Sequence, residues 1–201
     1  MTTASQQDRE RLAQSIARSA AVIGALQTQA DRLLSVCDTV VTALRAGFKT
    51  LAAGNGGSAA EAMHFTEELV GRFKSDRIAL PALALVADPT VLTCIGNDFG
   101  YDRVFSRQIE ALGQPGDILV LFSTSGNSRN LTLALDTAQS KGMTALCLLG
   151  RDGGRLAGKA NHEIIVNCQE TERIQEAHQV IVHLILDAVE RAFAPAPQDS
   201  H

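Results

Sequence analysis

His64 and Glu68 stand four positions apart in the segment AMHFTEE, a spacing that puts an imidazole and a carboxylate on one face of a helix. Together they suit a divalent metal such as zinc, or a sugar carbon whose proton the carboxylate takes as a general base. As a bare spacing, the same pair is common on exposed helix surfaces. His183 lies in the almost wholly apolar run VIVHLIL, where a polar ring needs a partner and the plain structural expectation is a satisfied core histidine. Gln175 precedes it by eight residues, about 12 Å of rise and roughly 80° around an ideal helix, so the two share a ligand only with long side-chain reach or distorted geometry. His178 and His162 read as structural or surface residues.

Two loops could hold an anion. Gly54-Asn55-Gly56-Gly57-Ser58 follows a short apolar run and opens a helix, with Ser58 near the N-cap. Ser123-Thr124-Ser125-Gly126-Asn127-Ser128 does the same and adds four hydroxyls. Exposed amides and the positive end of a helix dipole give such loops an affinity for phosphate without any cationic side chain. Neither G-x-G-x-x-G nor G-x-x-x-x-G-K-[ST] occurs, which argues against a nucleotide fingerprint. One such loop alone reads as ordinary turn and capping chemistry; two in one chain favour a phosphate cradle.

The elements that must position these residues follow from the texture of the chain. Residues 6–47 carry apolar side chains every three or four positions and read as two helices, broken near residues 30–35, with Asp31 as a cap for the second. Placed before any strand, this pair has little of its own to bury against and is expected to pack on another subunit. Short apolar runs at 50–53, 82–86, 118–122, 144–149 and 163–166 then read as five strands. Helices are expected at 58–70, 101–112 and 129–141, near Leu156 and over 171–193. Apolar strands without alternation, separated by helices, indicate an α/β fold with a parallel sheet covered on both faces. The whole forms one domain, with helices at 1–47, an α/β body at 48–195 and a frayed tail at 196–201 that includes His201.

Composition narrows the function. With 18 basic and 22 acidic residues the net charge is −4, the wrong sign for neutralising a phosphate backbone, and 4% aromatic residues with no Trp give no base-stacking platform. Nucleic acid is not the expected ligand. No membrane span and no signal peptide are found in the sequence, so a cytoplasmic protein is expected. Cys37, Cys94, Cys147 and Cys168 lack C-x-x-C spacing and fit buried thiols of a reducing compartment.

GNGGSAAEAMHFTEEL, IGNDFGYD at 95–102, FSTSGNS, RDGG at 151–154 and RIQEAHQVIVH occur in this order over nearly the whole chain. Together they resemble the bacterial phosphoheptose isomerases, a family of the sugar isomerase (SIS) fold. The resemblance implies a three-layer, flavodoxin-like α/β fold with a five-stranded parallel sheet and an N-terminal helical pair used in oligomerisation. It implies interconversion of D-sedoheptulose 7-phosphate and D-glycero-D-manno-heptose 7-phosphate through an enediolate, the first step of heptose supply for lipopolysaccharide or related glycans. It also implies a homotetramer with active sites at subunit interfaces and one zinc per subunit. Carried over by motif, the metal ligands fall on His64, Glu68, Gln175 and His183, and the acid–base pair on Glu68 and His183. Sugar and phosphate contacts fall on Asn55, Gly56, Gly57 and Ser58, on Asn97 and Asp98, and on Ser123, Thr124, Ser125 and Ser128. Glu68 and Gln175 also face substrate in this scheme, and Arg72 adds charge. Glu172 departs from the Asp common at its position in the family, so no sugar contact is carried over to it. Two other functions are open to the fold: a non-enzymatic SIS protein that binds the replication initiator, and a phosphosugar-sensing module. Neither needs an acidic residue and a histidine at positions 68 and 183, and this chain has both.

Overall fold

A computed structural model describes residues 5–194; the expected tail at 196–201, with His201, lies outside the described residues. Helices α1 (Gln6–Ala25) and α2 (Ala30–Arg45) lead into a sheet of β1 (Thr50–Gly54), β2 (Ala82–Ala84), β3 (Ile118–Ser123), β4 (Thr144–Gly150) and β5 (His162–Val166). The connections carry α3 (Gly57–Val70), α4 (Pro89–Phe99), α5 (Ser106–Leu112) and α6 (Arg129–Ser140), and α7 (Thr171–Phe193) follows the last strand. Every strand pair is parallel and the order is β2-β1-β3-β4-β5, the doubly wound flavodoxin-like arrangement.

Side-chain alternation along the buried strands builds two cores. Ile118, Val120 and Phe122 of β3 join Leu146 and Leu148 of β4 on the face covered by α2, α3 and α7. Leu119 and Leu121 join Ala145, Cys147 and Leu149 on the face covered by α4, α5 and α6. All of β1 and β3 is buried, as the unbroken apolar runs require of a sheet covered on both sides.

The structure corrects several expectations. The N-terminal break is a 3₁₀ turn at Leu26–Gln29, and α2 starts at Ala30 with no side-chain cap, so Asp31 sits within its first turn instead of ahead of it. The second strand stops at Ala84, because Leu85 to Ala87 already turn toward α4. Helix α4 was not anticipated, although Asp88 caps it by accepting from the Thr90 and Val91 amides and Pro89 occupies its first position, the arrangement expected of a helix start. The helix expected at 101–112 is a 3₁₀ turn at Tyr101–Arg103 followed by the shorter α5. Cys94 is exposed and Cys168 half-buried; only Cys37 and Cys147 are buried thiols.

The largest correction concerns the N-terminal pair, which has the intrachain partner that the sequence does not reveal. Helix α2 packs on α7 and β5 and buries Val36, Val40 and Leu44 in the core. Helix α1 also rests on α7, yet it buries no residue and leaves Leu12 and Ile16 65% and 70% exposed. Three buried aliphatic side chains contribute about 5–9 kcal/mol, comparable with the whole stability of a domain, about 5–15 kcal/mol. A chain beginning at residue 47 is therefore expected to lose its cooperative thermal transition. A melt as sharp and as high as that of the full chain would contradict the placement of α2 in the core.

Candidate active site

In the strand order β2-β1-β3-β4-β5 the topological switch point lies between β1 and β3, and the crevice beyond the carboxyl ends of those strands is where open α/β sheets bind ligands. The two Gly/Ser loops leave β1 and β3 there. Asn55 of the first loop and Asn130 in the first turn of α6 exchange side-chain hydrogen bonds of 3.0 and 2.9 Å, and the Tyr101 hydroxyl donates to Asn55 Oδ1 at 2.8 Å. Between the loops is a cavity of about 50 Å³ lined by Asn55, Ser58, Ser123, Thr124, Ser125 and Ser128. No Lys or Arg lines it; its positive character comes from the amides and dipole at the start of α6. Ser128 precedes α6 without spending its hydroxyl on a cap bond, and Ser123 Oγ accepts from the Gly126 amide at 3.0 Å, leaving its proton to donate.

The RDGG turn braces the second loop. The Gly126 carbonyl accepts from the Leu156 amide, and Asn127 Oδ1 accepts from the Arg155 amide. Gly126 has φ of +62°, and a Cβ there would lie 1.8 Å from the Gly153 carbonyl oxygen. Two requirements thus coincide at that position: left-handed backbone, and no side chain.

The second half of the site lies along α3 and α7. Helix α3 begins at Gly57, with Gly56 as its cap residue and Ser58 buried in its first turn, one position further in than expected. His64 Nε2 lies 3.7 Å from Glu68 Oε1, as the spacing foretold. Ligand atoms of His64, Glu67 and Glu68 lie within 4.8 Å of one another, so Glu67 joins a group from which sequence reasoning left it out. From α7, the His183 ring meets the His64 ring at 5.4 Å between centroids and stacks on Phe73 at 5.6 Å. The expectation of a core histidine fits His178 instead: His183 is exposed, whereas His178 is fully buried, with Nδ1 3.7 Å from Oε2 of the equally buried Glu61 on α3.

The remaining residues divide. The Gln175 amide lies over the first loop, so close that a Cβ on Gly57 would come 2.3 Å from Nε2; its contact is at the start of α3, while His183 faces the middle of that helix. Asn97 and Asp98 stand exposed at the end of α4, hydrogen-bond to each other and do not line the cavity. Arg72 is exposed beyond the end of α3 and takes part in no ion pair among the described residues. Tyr101 was missed as a functional candidate and could have been read only from its place in the IGNDFGYD segment.

Burial, then the neighbouring Glu67 carboxylate, push the Glu68 carboxyl up against the opposing pull of His64 and Arg77. Desolvation, then the charges of His64 and Lys74, push the His183 imidazole down. The raised carboxyl is the stronger base while it remains ionised, and the lowered imidazole gives up a proton more readily once it carries one. His64 Nε2 is buried with no hydrogen-bond partner. That orphaned nitrogen, beside carboxylates and a second imidazole, fits a zinc ion by the chemistry of its donors.

The SIS domain family model matches residues 14–150. Phosphoheptose isomerase from Geobacter sp. (strain M21) is 53% identical over 171 residues, 85% of this chain and 89% of its own length. That from Sulfurimonas denitrificans is 49% identical over 161 residues, 80% and 83% of the two chains. The chain belongs to the phosphoheptose isomerase family. Among solved structures, phosphoheptose isomerase from Neisseria gonorrhoeae superposes with a TM-score of 0.86 at 38% identity, covering 91% of this chain and 98% of that one. The enzyme from Francisella tularensis gives 0.86 at 31% identity over 95% and 100%.

The close approach at Gly126 is testable. Gly126→Ala should cost about 2–5 kcal/mol, combining a left-handed non-glycine residue with a backbone clash. Gly158→Ala, at φ of +72° with nothing within 4 Å of the added methyl, should cost only about 1–2 kcal/mol. Equal shifts of the two denaturation midpoints would mean that the RDGG turn does not brace the loop.

Proposed function

We propose that the chain interconverts D-sedoheptulose 7-phosphate and D-glycero-D-manno-heptose 7-phosphate through an enediolate, supplying heptose for lipopolysaccharide or related glycans. The observation that carries this is the meeting of Glu68 and His64 with His183, on two helices far apart in the chain, beside an uncharged cradle of amides and hydroxyls. From Ser58, which lines the cradle, to His64 is six residues, about 9 Å of helix rise, a gap that an extended seven-carbon sugar phosphate bridges.

In the forward direction Glu68 takes a proton from C1 of the ketose and returns it to C2, while His183 moves a proton between the oxygens on those carbons. Ser123, Thr124, Ser125 and Ser128, with the amides opening α6, hold the phosphate, so that binding energy remote from the reacting carbons fixes their orientation. Asn55, Gly56, Gly57 and Ser58 line the path between, and Gln175 closes over Gly57. Asn97, Asp98 and Arg72 act on the sugar only if a neighbouring subunit or a movement of the α4 end brings them in, in keeping with active sites at subunit interfaces. One zinc per subunit, held by His64, Glu68 and His183, would polarise the carbonyl and stabilise the developing oxyanion; Gln175, which the family pattern makes the fourth ligand, lies over Gly57 at the start of α3 and would have to move to reach it.

A homotetramer is supported by α1, whose exposed Leu12 and Ile16 form an apolar stripe that the chain itself does not cover. A cytoplasmic setting is supported by four free cysteines. No helix among the described residues is long and apolar enough to cross a membrane. The initiator-binding and sensing functions would leave the Glu68–His183 convergence without a use.

Glu68→Gln should abolish turnover of sedoheptulose 7-phosphate with the fold intact, while Ser125→Ala with Ser128→Ala should mainly raise KM. Full turnover in the first variant, or an unchanged KM in the second, would overturn the assigned roles; chelation of the wild type should depress the same assay. Leu12→Glu with Ile16→Glu should dissociate the assembly in analytical ultracentrifugation with little loss of monomer stability, since neither side chain is buried. A tetramer that survives the double change would exclude the α1 stripe as an interface.

A further inference from the structure

The segment 71–80 leaves α3 without regular structure, yet it touches both members of the acid–base pair. Arg77, its side chain only 1% exposed, turns its guanidinium back onto the end of α3. Nη1 donates to the Leu69 and Ile78 carbonyls at 2.9 and 2.8 Å, and Nη2 to the Glu68 carbonyl at 2.5 Å. The last carbonyls of a helix lack partners within it and carry its negative pole. Arg77 supplies both the donors and the charge, and it grips the backbone of the residue that bears the proposed base.

Four residues earlier, Phe73 stacks on the His183 ring at 5.6 Å and 24°. The segment between is tied to α7 by Glu190, seven residues beyond His183 and so nearly in line with it along the helix. Glu190 Oε1 accepts from the Ser75 hydroxyl at 2.6 Å and from the amides of Ser75 and Lys74, and Oε2 faces Arg77 Nε at 3.3 Å. That last contact is a charge pairing without hydrogen-bond alignment, since both atoms are buried and neither has a hydrogen-bond partner. Burial alone would raise the Glu190 carboxyl; the Ser75 and Lys74 donors and the Arg77 charge outweigh it and hold it below the usual carboxylate range.

We propose that this segment is a strap that sets the separation of Glu68 and His183, with Arg77 and Phe73 as positioning residues and Glu190 as their anchor on α7. The inference rests on Glu68 and His183 being the acid–base pair. A buried ion pair is weak grounds for a stabilising role, because an apolar pair of similar volume commonly replaces it without loss of stability, whereas removing one partner strands a buried charge. The contacts to the Glu68 carbonyl and the His183 ring have no such replacement.

The test separates positioning from stability. Arg77→Met alone should lower both the melting temperature and kcat. Arg77→Met with Glu190→Leu should regain the part of the melting temperature lost to the stranded charge, while kcat stays roughly ten- to a hundredfold below wild type, the usual penalty of a misplaced catalytic group. KM should change little, because the phosphate cradle lies at the other end of α3. Recovery of kcat together with the melting temperature would overturn the proposal. Phe73→Leu, outside the ion pair, keeps the question open to experiment should the Arg77 variants fail to fold. It should lower kcat with KM held, and Phe73→Tyr should restore it; wild-type kcat in Phe73→Leu also overturns the strap. Glu68→Gln run in parallel distinguishes the two levels. If it retains turnover, the acid–base pair itself is misassigned and the strap's role falls with it. If it is inactive, the strap variants are judged on their own.

Discussion

The packing of α3 against α7 is the constraint from which the rest of the site follows. His64 and Glu68 share a face of α3 by local spacing, but they become more than a surface pair only because α7 lays His183 beside them. The same interface places Gln175 over Gly57 and buries Glu61 against His178. It is held from behind by the sheet, whose Val120 and Phe122 enter the same core as Phe65 of α3 and Ile181 of α7. Helix α7 also supports α1 and α2, so one helix links the proposed chemistry, the core and the surface through which subunits are proposed to meet.

The second feature is the division of labour between the two ends of α3. At its start, the cavity offers an anion only amides, hydroxyls and helix poles, with no cationic side chain lining it. Such a site favours phosphate through fixed dipoles that need no rearrangement as the substrate arrives. At its middle and end, ionisable groups are crowded and partly desolvated, which moves Glu68 and His183 toward their neutral forms. The proposed binding and the proposed chemistry thus occupy different electrostatic environments on one helix.

Much of this was legible in the sequence because it is local. Strand runs, the two loops after β1 and β3, and the His64–Glu68 spacing are written in neighbouring residues, and four of the five strands lie within a residue or so of their expected bounds. What escaped depends on contacts distant in the chain. Helix α2 reads as unpartnered until α7, more than a hundred residues later, is folded onto it. His183 sits in an apolar run of the sequence and His178 beside Gln175, Glu176 and Gln179, the reverse of their burial, and only the direction in which each faces α3 makes one a core residue and the other a candidate site residue. Arg77 lies in a stretch without periodicity, and nothing local marks it as the side chain that closes α3. Helix α4 is the exception, a miss despite a plain Asp-Pro start signal at Asp88 and Pro89.

The most direct test of the central claim, that Glu68 carries the carbon-bound proton, is solvent exchange. Wild-type protein and Glu68→Gln would be incubated with sedoheptulose 7-phosphate in deuterium oxide, and the carbon-bound hydrogens at C1 and C2 followed by proton NMR. The wild type should wash deuterium into those positions as the sugars interconvert, and Glu68→Gln should leave them protonated while still binding the ketose. Deuterium entering at the wild-type rate in Glu68→Gln would contradict the claim.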